Sequence, residues 1–203
     1  MRRILQITTQ LIFLALFIVL FIMGKVQIWM GLLLLGLISS LLFGRLYCGW
    51  ICSINMVMHG VAWVKKKLHI KDLKIPGFLK YTWVRFAFLG LFIGLFIFSM
   101  VMGKKLPVLP AIFVLGVLLT FLFPEELWHR YLCPLGTLLS LPSSISKYKM
   151  TIDTGKCNNC GACVRACPAK AIVKEDKHRI SKKDCLVCMA CSTKCKQKAI
   201  TYK

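Results

Sequence analysis

Acidic residues are scarce. The 203 residues hold 7 Asp+Glu against 28 Lys+Arg, a formal net charge of +21, and only 17% of positions are charged at all. So little charge, set against 58% apolar residues and a mean hydropathy of +0.71, excludes a disordered chain and an ordinary soluble domain. The composition is that of a membrane protein. No residue run offers a flavin or nucleotide site. Basic surplus alone also fits nucleic acid. Here, however, the 16 Lys+Arg of residues 1–149, set against 3 Asp+Glu, lie between apolar spans, where they orient the chain or meet anionic lipid. Membrane lipid is therefore an expected partner and nucleic acid is not.

Four uninterrupted apolar spans follow from reading charge to charge: Ile4 to Gly24, Val26 to Gly44, Phe86 to Gly103 and Leu106 to Pro124. Each approaches the length that crosses roughly 30 Å of hydrocarbon as helix. Arg2, Arg3 and the first run also suit a signal peptide, but no small-residue cleavage site follows Gly24, so an uncleaved helix is expected. Lys25, Lys104 and Lys105 fall in the loops of one side, and the other 13 basic residues of this part fall on the opposite side. The positive-inside rule puts that richer side and both termini in the cytoplasm of a multi-pass protein of the cell (inner) membrane.

A weak internal repeat accompanies the spans. Gly44-Arg45-Leu46-Tyr47-Cys48-Gly49-Trp50-Ile51-Cys52-Ser53 closes span two, and His129-Arg130-Tyr131-Leu132-Cys133-Pro134-Leu135-Gly136 follows span four. Two spans separate the copies, so both emerge on one face, a parallel duplication. Shorter apolar stretches follow each copy, Ile54 to Val64 and Leu135 to Leu141, and read as interfacial or re-entrant half-helices. If helical, Cys48 with Cys52 and His129 with Cys133 each face one way, and together they offer a Cys3His set for zinc or iron at the membrane face. The plainer reading is buried cysteines at helix ends with a solvated histidine. His59 could take a proton from a quinol or be an interfacial polar tip, and Glu125 and Glu126 are proton exits or a solvated helix end.

From Lys149 onward the apolar runs shrink and cysteines recur: eight of the eleven lie in the last 54 residues. Cys157, Cys160, Cys163 and Cys167-Pro168 give C-x2-C-x2-C-x3-C-P, and Cys185, Cys188, Cys191 and Cys195 repeat the spacing 28 residues later. In this pattern the fourth cysteine of each run ligates the other cluster. Two [4Fe–4S] clusters are expected, one on Cys157, Cys160, Cys163 and Cys195, the other on Cys185, Cys188, Cys191 and Cys167. Such C-x2-C pairs also suit zinc, but two full four-cysteine runs in a duplicated hydrophobic frame favour iron–sulfur. Strands are expected at Met150 to Ile152 with Ile200 to Tyr202, and at Ile172 to Lys174 turning at Glu175-Asp176 into Arg179-Ile180. With 12 Lys+Arg against 4 Asp+Glu, this segment keeps about +4 after two clusters of about −2 each, so its redox partners are expected to be acidic.

At Gly44 to Cys52 and Arg130 to Gly136 the chain resembles the NapH-type membrane polyferredoxins, with their paired C-x3-C-P motifs, four spans and a C-terminal double-cluster ferredoxin. The resemblance implies electron transfer between a membrane quinone pool and redox partners, as in a subunit of a quinol dehydrogenase-type oxidoreductase. Ser53 stands where the first motif has Pro, and His129 where the second has its first Cys. The expected protein is thus an α-helical membrane protein, with four transmembrane helices in two parallel repeats over residues 1–148. Residues 149–203 form an α+β bacterial-type 2[4Fe–4S] ferredoxin. Its role is electron transfer from a quinol, with a quinone or third metal centre at the membrane face. The rival is a redox-sensing or metalloenzyme maturation factor that supplies electrons without turnover.

Overall fold

The structure is a computed structural model that describes residues 2–25, 27–102, 107–174 and 177–203. The expected turn at Glu175-Asp176, the loop residues Lys104 and Lys105, and the span ends at Val26, Gly103 and Leu106 lie outside the described residues. The protein is mostly helical. Helices run at α1 (Arg2–Ile22), α2 (Ile28–Phe43), α3 (Leu46–Trp50), α4 (Ser53–Lys67), α5 (Thr82–Val101), α6 (Val108–Leu122), α7 (Pro134–Ser143), α8 (Ala162–Ala166) and α9 (Ala190–Lys194). A 3-10 turn occupies Gly77–Lys80, a π-helical turn Leu127–Leu132, and four short strands are β1 (Met150–Ile152), β2 (Ile172–Lys174), β3 (His178–Ile180) and β4 (Ile200–Tyr202).

Two stretches, Ile4–Ile22 and Thr82–Val101, are long and apolar enough to cross a membrane. The helices α2 and α6 are equally apolar but have 16 and 15 residues. At 1.5 Å per residue they reach roughly 24 Å, short of a full hydrocarbon core.

The chain forms two compact units that do not follow chain order: residues 1–26 with 52–138, and residues 27–51 with 139–203. In the first unit α4 packs on α6 and α1, and the π turn packs on α5 and α6. Phe17 stacks on Phe113 with ring centroids 5.6 Å apart. Lys65, buried near the end of α4, pairs with Asp72 and donates to the Thr120 and Phe123 carbonyls at 2.9 and 3.3 Å. It satisfies acceptors that the end of α6 leaves unpaired, and its charge suits the negative end of that helix. A Cβ on Gly116 would lie 2.9 Å from the Trp128 ring, so helix and aromatic meet backbone to face.

In the second unit α2 meets α3 the same way. A Cβ on Gly36 would lie 2.8 Å from the Tyr47 ring, and the Tyr47 hydroxyl accepts from Trp29 Nε1 at 2.8 Å. Gly44 ends α2 at φ +67, the left-handed region that glycine enters without strain. The cysteine-rich segment builds two antiparallel pairs, β1 with β4 (Met150 opposite Tyr202) and β2 with β3 (Ile172 opposite Ile180). Met150, Cys163, Ile172, Cys191 and Ile200 form its buried core, drawn from both halves of the duplication. So small a core cannot hold some fifty residues by burial alone, which makes cysteine ligation a structural requirement.

Candidate functional site

The duplication is written into the backbone of the cysteine loops. Asn159 and Gly161 adopt positive φ of 58 and 69°, and Val187 and Met189, their equivalents, 53 and 55°. Lys170 and Lys198 match at 47 and 49°. Alternation of left- and right-handed residues turns successive N–H groups toward one point, the concave anion-binding arrangement found at iron–sulfur sites. For β-branched Val187 this conformation is strained, and such strain persists where the surroundings over-determine it. Cys167 and Cys195 share an extended conformation just past α8 and α9, at φ/ψ −84/112 and −82/104. Their thiols thereby leave the loop of their own run.

Two small pockets result. One has Cys157, Cys160, Cys163 and Cys195 in its wall, and the other has Cys185, Cys188, Cys191 and Cys167. Each therefore takes three cysteines from one run and the fourth from the other. Apolar side chains fill much of the rest, Ile152 and Ile200 in the first and Met150, Ile172, Ile180 and Leu186 in the second. Burial pushes the Cys185 thiol up to about 11 and the Cys188 thiol up to about 12, and raises Cys191, Cys163 and Cys167 as well. Backbone N–H groups work against this: Ala171 donates to Cys167 Sγ at 3.3 Å. Thiols this reluctant to ionise become thiolates when a cation supplies the charge, and loading then releases protons. The donor set fits two four-thiolate clusters. Among the described residues no group of three or more His, Cys, Asp or Glu is placed to hold a single metal ion.

Sequence reasoning missed what surrounds these pockets. His178 lines the first, buried, with neither ring nitrogen hydrogen-bonded. In the sequence it is one polar residue at a strand start, with nothing to mark it. Behind the loop of the second pocket lies the first membrane-face motif. Trp50 Nε1 donates to the Val187 carbonyl at 3.2 Å and Arg45 Nη1 to the Lys183 carbonyl at 3.3 Å. Gly49 packs against the backbone of Leu186 and Cys188, where a Cβ would lie 3.1 Å from the Cys188 nitrogen.

Cys48 belongs to α3 in the unit of residues 27–51 and 139–203, whereas Cys52, His129 and Cys133 belong to the other unit. The continuous helix that would place Cys48 and Cys52 on one face is not formed, because α3 ends at Trp50 and Cys52 is extended at φ/ψ −63/112. His129 and Cys133 part likewise: His129 lies in the π turn, and Cys133 is extended at −64/110, as the following Pro134 requires. Cys52 and Cys133 thus occupy the same place, each just before a half-helix, and the Gly136 N–H donates to Cys133 Sγ at 3.2 Å. Within that unit His59 Nδ1 lies 3.0 Å from Glu125 Oε2, and the His59 and His129 rings are 6.5 Å apart. Burial raises the Glu125 carboxyl pKa, but the His59 hydrogen bond and the His59, His129 and Lys65 charges lower it further, for a net depression. Asn55, one helical turn before His59, is buried at 1% exposure with its amide unpartnered.

A family described as 4Fe-4S binding domain matches residues 26–71 and 106–152, once on each membrane-face motif, and a second family of that description matches residues 150–173. The ferredoxin-type protein NapH of Haemophilus influenzae is 28% identical over 85% of this chain and 67% of its own length. The putative electron transport protein YccM of Escherichia coli is 26% identical over 82% of this chain and 53% of its own. The methylamine utilization ferredoxin-type protein MauN of Methylorubrum extorquens is 31% identical over 70% of this chain and 56% of its own. The chain thus spans between half and two thirds of these relatives. No solved structure matches. The chain belongs with the NapH-type polyferredoxins, ferredoxin-type electron-transfer proteins with 4Fe–4S binding domains.

Proposed function

We propose that the chain passes electrons between a membrane quinol and acidic redox partners through two [4Fe–4S] clusters. One is held by Cys157, Cys160, Cys163 and Cys195, and the other by Cys185, Cys188, Cys191 and Cys167. The observation that carries this reading is the pair of pockets, each walled by three cysteines of one run and the fourth of the other. Clusters with four thiolates leave no iron open to substrate, so they supply one-electron transfer. The functional division lies near residue 148, with four spans before it and the ferredoxin after it. The basic asymmetry of the loops puts the termini and the ferredoxin in the cytoplasm.

Proton handling for quinol oxidation falls to the unit that holds α4 and α6. Its His59–Glu125 pair supplies an imidazole oriented by a carboxylate, and the buried Asn55 amide supplies unspent hydrogen-bonding capacity for a hydroxyl. Cys52, His129 and Cys133 lie in the same unit, and we assign them, with Cys48, to the membrane-face ends of the two repeats. The deciding experiment compares cluster reduction by a quinol with reduction by dithionite in the detergent-solubilised protein. His59→Gln and Asn55→Leu are expected to slow the quinol reaction at least tenfold and leave dithionite reduction unchanged. Equal quinol rates in both variants and the parent would place the electron entry elsewhere.

A further inference from the structure

We propose that Arg45 is the built-in counter-charge of the cluster held by Cys167, Cys185, Cys188 and Cys191, and makes it the more easily reduced of the two. The inference rests on the two-cluster reading above and adds to it a residue and an order of potentials.

Arg45 is 1% exposed, yet it forms no ion pair among the described residues. Its Nη1 donates to the Lys183 carbonyl at 3.3 Å, and its Nε has no hydrogen-bond partner. A buried, unpaired guanidinium is held at a cost that one neutral hydrogen bond does not offset, so its position calls for an anion. The loop it touches supplies one. Lys183 lies two residues before Cys185, so the guanidinium sits against the backbone of the loop that carries this ligand. With four thiolates the cluster carries about −2 when oxidised and about −3 after taking one electron. A fixed cation nearby therefore favours the reduced state, and a buried one is poorly screened.

Two other charges flank this loop. Lys170, three residues after Cys167, brings charge of the same sign, and the buried Asp184, next to Cys185, brings the opposite sign and accepts from Ser181 Oγ at 3.0 Å. Around the first pocket the basic side chain in the wall is the His178 imidazole, and Arg165, on α8, is exposed. The duplication is symmetric in its cysteines and asymmetric in its fixed charge.

The test is a redox titration of the full-length protein, reconstituted anaerobically in detergent and followed by electron paramagnetic resonance. Parental protein with zinc in place of about eight irons would overturn the underlying reading, independently of Arg45. With both clusters present, Arg45→Gln is expected to lower the reduced-to-oxidised ratio of one cluster about tenfold or more at a fixed poise. Arg45→Lys is expected to keep most of that ratio. The shifted cluster should be the one that survives in a Cys160→Ala background. Unchanged potentials at full iron content, or equal shifts in both clusters, would sink the proposal. If Arg45→Gln loses iron, rescue by Arg45→Lys supports a charge role, and equal loss in both variants reduces Arg45 to packing.

Discussion

Gly49 and Leu186 touch backbone to backbone, so closely that a methyl group on Gly49 would run into the Leu186 carbonyl oxygen and press on the Cys188 nitrogen at 3.1 Å. Backbone cannot swing aside as a long side chain can. Gly49→Ala should therefore displace the loop of Cys185 and Cys188, at a cost of about 1–3 kcal/mol or with loss of the second cluster. Melting temperature and iron content of the purified variant measure this, and a parental melt with full iron would show the loop yields freely.

Exchange of fourth ligands makes the two runs distinguishable by single substitutions. Cys195→Ala should damage the cluster of Cys157, Cys160 and Cys163, whereas Cys167→Ala should damage that of Cys185, Cys188 and Cys191. Magnetic resonance spectra of each variant, compared with Cys157→Ala and Cys185→Ala, decide the matter. Cys195→Ala should resemble Cys157→Ala, and resemblance to Cys185→Ala would reverse the assignment.

The uneven distribution of loop charge predicts that reporter fusions at Lys203 and near Lys104 will report opposite sides of the membrane. Both reporters on one side would mean that α6, the short apolar helix between them, does not cross.

The Glu125 carboxyl is depressed below its ordinary value of 4.5, because the His59 bond and the neighbouring positive charges outweigh burial. A carboxylate with a lowered folded-state pKa contributes stability that is fully present above 4.5 and is lost as pH falls through the depressed value. Glu125→Gln should therefore cost stability at pH 6 and cost progressively less as pH falls from 4.5 toward the depressed value. A melting-temperature difference from parent that stays constant over that fall would show that the ionised carboxylate adds nothing to stability.

The cysteine loops were legible from spacing because their geometry is local. Runs with the same spacing adopt the same left-handed positions, as Asn159 with Val187 and Lys170 with Lys198 show. Strands β1 and β4 were legible from the matching apolar pieces that flank those runs. What stayed hidden depends on segments far apart in the chain. Arg45 and Lys65 both counted as orienting charges, but one lies buried behind Lys183 and the other caps the carbonyls at the end of α6. No periodicity marks the π turn at Leu127–Leu132, and the spacing of Cys48 and Cys52 looked helical across a break that only the folded backbone reveals.

The pairing of β1 with β4 and the placement of Cys195 among the first run's thiols have a consequence for synthesis. While the chain is being made, Cys157, Cys160 and Cys163 leave the ribosome well before the cysteine and the strand that complete their site. Iron delivered in that interval meets three thiols and an open corner. Because each run waits for a ligand from its counterpart, neither centre can close until the last cysteine has emerged, and iron delivered earlier stays open to chelators.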